Sequence, residues 1–186
     1  PGTQQGIDKW NKIKDEKTKE VVGKTEVTLT RSYGSESLLG NLIADAIVYS
    51  AVSKGEKPDF AVTNSGGIRT DIEKGNITQK DIIGAFPFPN ALTVLNLSGK
   101  DIISMFEHAA GLTNGVLQVS HGLVMEYDPS KEVGSRITKL ELNGKKIDPN
   151  KTYRVATNDF LANGGDGFSQ FLSGTERNDV NGYMMY

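Results

Sequence analysis

The chain has 186 residues, 24% of them charged and 37% hydrophobic, with a formal net charge of −2. That length suits one domain with a sizeable core, and the near-balanced charge leaves no basic footprint for nucleic acid or an anionic membrane surface. Cysteine is absent, which removes disulfides, thiolate nucleophiles and cysteine-ligated zinc. No apolar run approaches the roughly 20 residues needed to span a bilayer. The chain starts at Pro1 with neither an initiator Met nor a signal-like apolar stretch, the look of a fragment cut from a longer protein.

In chain order, residues 5–23, QGIDKWNKIKDEKTKEVVG, space Ile7, Trp10 and Ile13 as one stripe of a solvent-facing helix. Residues 24–32, KTEVTLTRS, alternate Val27 and Leu29 with polar residues and predict a strand. Residues 36–53, ESLLGNLIADAIVYSAVS, predict a helix with a broad apolar face and Ser35 as N-cap. DFAVTN at 59–64 reads as a short strand entering the turn SGG, and Thr78 as the N-cap of a short helix. A strand over 91–99 hands over to a helix over 99–111. GVLQVS, GLVMEYD, RITKLELNGKKID and TYRVATNDFL follow as strands, with an Asn-Gly hairpin turn at Asn143. Early helices and crowded later strands with short connections predict an α+β fold, a single domain with a mixed or antiparallel sheet and packed helices.

Little of the sequence is suited to bond-breaking chemistry. Its two histidines, His108 and His121, lack an acidic residue three or four positions away, so a histidine-rich two-metal site cannot be assembled from them, and a structural or surface role is expected for each. No G-x-S-x-G elbow is present. NSGGIRTDI, residues 64–72, could bring backbone close to a ligand through Gly67 and aim the Arg69 guanidinium at it; it could equally be a strand exit with Arg69 solvated. It matches neither the G-x-G-x-x-G nor the P-loop pattern.

In FPFPN, residues 86–90, two prolines stiffen the backbone around Phe88, and alternation predicts Phe86 inward and Phe88 outward. NDFLANGGDGF, residues 158–168, predicts positive φ at Asn163, Gly164 and Gly165, with Asp166 accepting hydrogen bonds either from ligand hydroxyls or from the loop's own amides. Taken together, two aromatics on stiff or turning segments, two polar readers and an arginine could sandwich a planar heterocycle bearing a sugar.

NSGGIR, FPFPN with the following ALTVLNLSGKDIISMFEHA, NDFLANGGDGF and, ahead of them, ESLLGNLIADAI, covering residues 24–171, are similar to the C-terminal, substrate-binding domain of the 5′-nucleotidase family, which includes UDP-sugar hydrolases. The resemblance implies a connector helix over residues 1–23 and the substrate-binding domain over 24–186. It further implies an N-terminal metallophosphoesterase domain, outside this sequence, that carries two divalent metal ions and the catalytic groups. No metal and no cofactor is then expected in this chain, which alone would be inactive although part of a phosphoric monoester hydrolase. By the same resemblance Phe88 and Phe160 stack on the base, Asp166 accepts the ribose hydroxyls, Asn64, Gly67 and Arg69 contribute polar contacts, Asn90 meets the base, and Arg31 is a further candidate. A hinge near Trp10 would turn this domain toward the metals. The implied setting is extracellular, cell-wall-anchored or periplasmic, with a nucleoside or nucleotide as ligand and no nucleic acid or membrane partner. A stand-alone binding or adhesin module, or a hydrolase of cyclic nucleotides or nucleotide sugars, is the alternative.

Overall fold

A computed structural model describes residues 4–112 and 115–184, with backbone alone for residues 10, 13, 14 and 181–184. The chain runs α1 (Gln4–Thr18), β1 (Val21–Thr25), α2 (Leu38–Ser53), β2 (Phe60–Asn64), a 3-10 turn (Ser65–Gly67), β3 (Gly75–Thr78), α3 (Gln79–Ala85), β4 (Ala91–Ser98) and α4 (Gly99–Gly111). It continues through β5 (Leu117–Val119), β6 (Leu123–Tyr127), β7 (Ile137–Leu142), β8 (Lys145–Lys146), β9 (Thr152–Asn158), α5 (Asp159–Ala162), 3-10 turns Gly165–Gly167 and Ser169–Ser173, and β10 (Thr175–Met184).

Helix starts follow local chemistry. Thr78 caps α3 in a reciprocal capping box with Asp81, and Ser98 caps α4 by accepting from the Asp101 amide at 3.1 Å. The central sheet has the order β10-β4-β9-β2-β5, antiparallel except for the parallel pair β2–β9. Its strands alternate between two cores, as the period-2 pleat requires. Phe60, Val62, Leu95, Leu97, Tyr153 and Val155 face α4 and the β6-β7-β8 sheet. Ala61, Leu92, Val94 and Ala156 face α2, where alanines let the helix approach closely. A third cluster, with Leu39, Ile68, Ile72 and Phe86, lies under the segments that border the site. Among the described residues no helix is long and apolar enough to cross a membrane.

The mixed-sheet α+β architecture expected from the sequence is the one observed. Three local expectations change. The strand expected over 24–32 forms earlier, as β1 against β3, and only the bridge Leu29–Ile72 remains of the later segment. The N-cap of α2 is Ser37, whose Oγ accepts from the Gly40 amide at 3.0 Å, while Ser35 Oγ lies 2.9 Å from Ser32 Oγ. TYRVATNDFL does not stay extended, because Asn158 caps α5. β10 was not anticipated. Of the stripe Ile7, Trp10, Ile13, the last two side chains lie outside the described residues, and Ile7 is exposed.

Candidate nucleoside-binding cleft

Because β2 and β9 are parallel and β4 is antiparallel to β9, the C-terminal ends of β2 and β9 and the start of β4 meet at one edge of the sheet. The register pairs Leu92 with Asn158, so the segment before β4 and the segment after β9 leave the sheet side by side. Asp159 Oδ1 accepts from the Ala91 amide at 3.0 Å and stitches the two together. Asn64, Arg69, Phe88, Asn90, Phe160 and Asp166 line one cleft here, of about 490 Å3, together with Tyr33 and Gly66. That is room for a ligand of nucleoside or nucleotide size. Gly67 and Arg31 stand beside the cleft without lining it.

Phe86 is 3% exposed and Phe88 42% exposed, the inward–outward split expected of the proline-flanked segment. Phe160, 41% exposed, lies against Gly165: a Cβ there would stand 2.6 Å from the ring's Cε1, Cε2 and Cζ. Only glycine leaves the ring that place. Positive φ falls on Gly164 (84°), Asp166 (53°) and Gly167 (79°), not on Asn163 or Gly165 as expected. Asp166 thus holds a conformation that L-residues other than Asn and Asp seldom adopt. Its carboxylate accepts no hydrogen bond from the loop amides or from any other described group.

Support for this loop comes from α4. His108 Nε2 lies 2.9 Å from the Asp166 carbonyl oxygen, and since a carbonyl only accepts, this nitrogen carries the proton. The same ring packs edge-on against Phe168 at 4.7 Å and 89°. His108 is therefore structural, as expected, although its partner was not foreseen.

Asn64 Oδ1 accepts from Asn158 Nδ2 at 3.0 Å, which orients the Asn64 amide and leaves its Nδ2 without a bond to any described residue. Gly67 is needed for closeness rather than for φ, since a Cβ there would meet the Asn64 amide at 3.3 Å. Arg69 donates to the Gly66 carbonyl at 3.2 Å, stands 6.0 Å over the Phe88 ring and has no carboxylate partner among the described residues. Arg31 instead folds back onto Tyr33 and Asp71. No three His, Asp or Glu side chains among the described residues are grouped to hold a metal ion.

A family model described as "5′-nucleotidase, C-terminal domain" matches residues 18–173. The chain belongs to the 5′-nucleotidase family, as its C-terminal domain. An apyrase of Tabanus yao is 35% identical over 182 residues, 86% of this chain and 33% of that protein. A trifunctional nucleotide phosphoesterase of Bacillus subtilis is 35% identical over 201 residues, all of this chain and 13% of that protein. Among solved structures, a 5′-nucleotidase precursor of Thermus thermophilus superposes with TM-score 0.86 at 32% identity, over 98% of this chain and 38% of its own. The chain therefore spans well under half the length of each of these relatives. The match includes every side chain that lines the cleft in this 5′-nucleotidase C-terminal domain, and leaves most of α1 outside. Tyr33 went unpredicted as a cleft residue; its one sequence signal was an aromatic within a polar turn just after Arg31.

Proposed function

We propose that this domain is the substrate-binding half of a nucleotide hydrolase, clamping the nucleoside while a metal-bearing N-terminal domain of the same protein hydrolyses the phosphate ester. One observation carries the reading: two half-exposed phenylalanines, from adjacent antiparallel strand ends, line the same cleft as an unspent carboxylate. Phe88 and Phe160 would take the base between them, each contributing roughly 1–3 kcal/mol and tolerating any base. Asp166 would accept both ribose hydroxyls, so a 2′-deoxynucleoside would leave a partly buried acceptor unmatched at about 1–3 kcal/mol. The Asn64 Nδ2 and the Asn90 amide supply further polar contacts, and Arg69 brings positive charge toward the phosphate.

Metal ions would supply the activated water, and the described residues of this chain offer no group to hold them. The contribution of this chain is binding and orientation: holding the nucleoside far from the reacting phosphorus positions the ester and lowers the barrier. α1 would be the connector through which the domain turns toward the metals. The names of the relatives, apyrase and trifunctional nucleotide phosphoesterase, favour a broad range of nucleotides over one base. An extracellular, wall-anchored or periplasmic setting fits that reading.

Titration calorimetry of adenosine into the 186-residue chain tests it. Phe88→Ala and Phe160→Ala should each weaken binding by about 5- to 150-fold. Equal affinity in wild type and both variants would contradict the clamp. The chain with added divalent metal should show no phosphatase activity, and metal-dependent turnover would contradict the division of labour.

A further inference from the structure

The lining residue with no role so far is Tyr33, 40% exposed at the cleft. Its presentation is unusually fixed for a loop. Each residue from 31 to 35 has a backbone group held by a distant partner. The Arg31 amide donates to Asp71 Oδ1 at 2.8 Å, and the Tyr33 carbonyl accepts from the Val116 amide at 2.7 Å. The Gly34 carbonyl accepts from the Tyr127 hydroxyl at 2.6 Å. Buried Gln118 donates through Nε2 to the carbonyls of Ser32 (3.3 Å) and Ser35 (3.0 Å). Such a segment holds its side chain in place before any ligand arrives, which spares binding the entropy of ordering it.

The hydroxyl is directed as well. Arg31 Nη1 donates to Tyr33 Oη at 2.7 Å, and a guanidinium can only donate, so the phenol oxygen is the acceptor in that bond and its own proton must go elsewhere. No described residue takes it. A hydroxyl that accepts from a cation is polarised into a stronger donor, suited to an anionic, acceptor-only oxygen. Asp166 is an acceptor and suits a diol, whereas Tyr33 and Arg69 offer donors, which suits a phosphate. Arg31 is itself occupied: its Nε lies 4.0 Å from Asp71 and its guanidinium 5.1 Å from the Tyr33 ring centroid.

We infer that the Tyr33 hydroxyl donates a hydrogen bond to a phosphoryl oxygen of the bound nucleotide, with Arg31 as a positioning residue that aims it and does not meet the phosphate itself. This rests on the nucleoside-clamp reading and adds to it, beside Arg69, a second group that distinguishes a nucleotide from a nucleoside.

The test is calorimetric titration of adenosine and of AMP into the 186-residue chain and its variants, read as the ratio of the two affinities. Tyr33→Phe removes one oxygen and keeps the ring; it should lower AMP affinity about tenfold and leave adenosine unchanged. Arg31→Ala should lower AMP affinity comparably, and the double variant should be no worse than Tyr33→Phe alone. An unchanged ratio in Tyr33→Phe, or an equal loss of both ligands, overturns the phosphate contact. Additive losses in the double variant overturn the positioning role by placing Arg31 on the phosphate. A failed clamp looks different: adenosine affinity would then be indifferent to Phe88→Ala and Phe160→Ala, whatever Tyr33 does.

Discussion

β2 and β9 lie side by side in parallel, and both end on Thr-Asn, β2 directly before a glycine-containing turn and β9 before the short helix α5 that leads to one, yet the two ends do different work. Asn158 spends its whole side chain inside the protein. Its Oδ1 accepts from the Leu161 amide at 2.8 Å, and its Nδ2 reaches Asn64 Oδ1 at 3.0 Å and Thr63 Oγ1 at 3.4 Å. Asn64 receives one of those bonds and keeps its own Nδ2 for the cleft. The turns differ too: the first uses Gly67 because the Asn64 amide is close, the second uses Gly164 and Gly167 because the backbone turns left-handed. Similar local sequence thus yields a scaffold at one strand end and a presented group at the other, according to what its neighbour takes.

That contrast can be broken in graded steps. Asn158→Ala should have the largest effect, about 2–4 kcal/mol off the unfolding free energy in urea, since it removes a cap and strands buried partners. Gly167→Ala should follow at about 1–2 kcal/mol, from a side chain forced to positive φ. Its Cβ would also stand 3.2 Å from the His108 ring, so Asp166 should shift and the ribose-over-deoxyribose preference, measured by titration, should narrow. Asn64→Ala should change stability least, by about 1 kcal/mol, since Asn158 Nδ2 keeps only the 3.4 Å bond to Thr63 Oγ1, while weakening adenosine binding several-fold. A stability loss equal to that of Asn158→Ala would erase the distinction.

The opposite end of β9 supplies a control away from the cleft. Glu56 there accepts from Asn178 Nδ2 at 2.6 Å and pairs with Arg154 at 2.7 Å. The Asn178 hydrogen bond foremost, with Arg154 and against the pull of burial, holds its carboxyl below the ordinary 4.5. A lowered folded-state pKa means stability fully present above the ordinary value and lost as pH falls through the lowered one. Thermal melts of Glu56→Gln should therefore differ from wild type at pH 7 and converge with it under acid below that range. Adenosine affinity at pH 7 should be the same in both.

Much of the site was legible because its walls are local motifs. FPFPN states which ring faces out through its alternation, on a backbone stiffened by its prolines, and NDFLANGGDGF supplies both the second ring and the glycine beneath it. What was not legible depends on distant partners. Tyr33 gains its direction from nearby Arg31, but its fixed backbone comes from residues such as Tyr127, whose bond to Gly34 spans 93 positions. The His108–Asp166 bond spans 58 positions and follows no sequence spacing rule. β10 was hidden by its composition: TERNDVNG is polar and its pairing with β4 is irregular, as suits an edge strand. β1 was displaced because Val27, although in an alternating pattern, is exposed and finds no sheet to join.

The central claim is that Phe88 and Phe160 face one base. A crystal structure of the chain with adenosine tests it most directly. The account predicts the base between the two rings, each about 3.5–4 Å from one of its faces, with Asp166 bonded to both ribose hydroxyls. A base that contacts one ring only, or that lies outside the cleft, would contradict it.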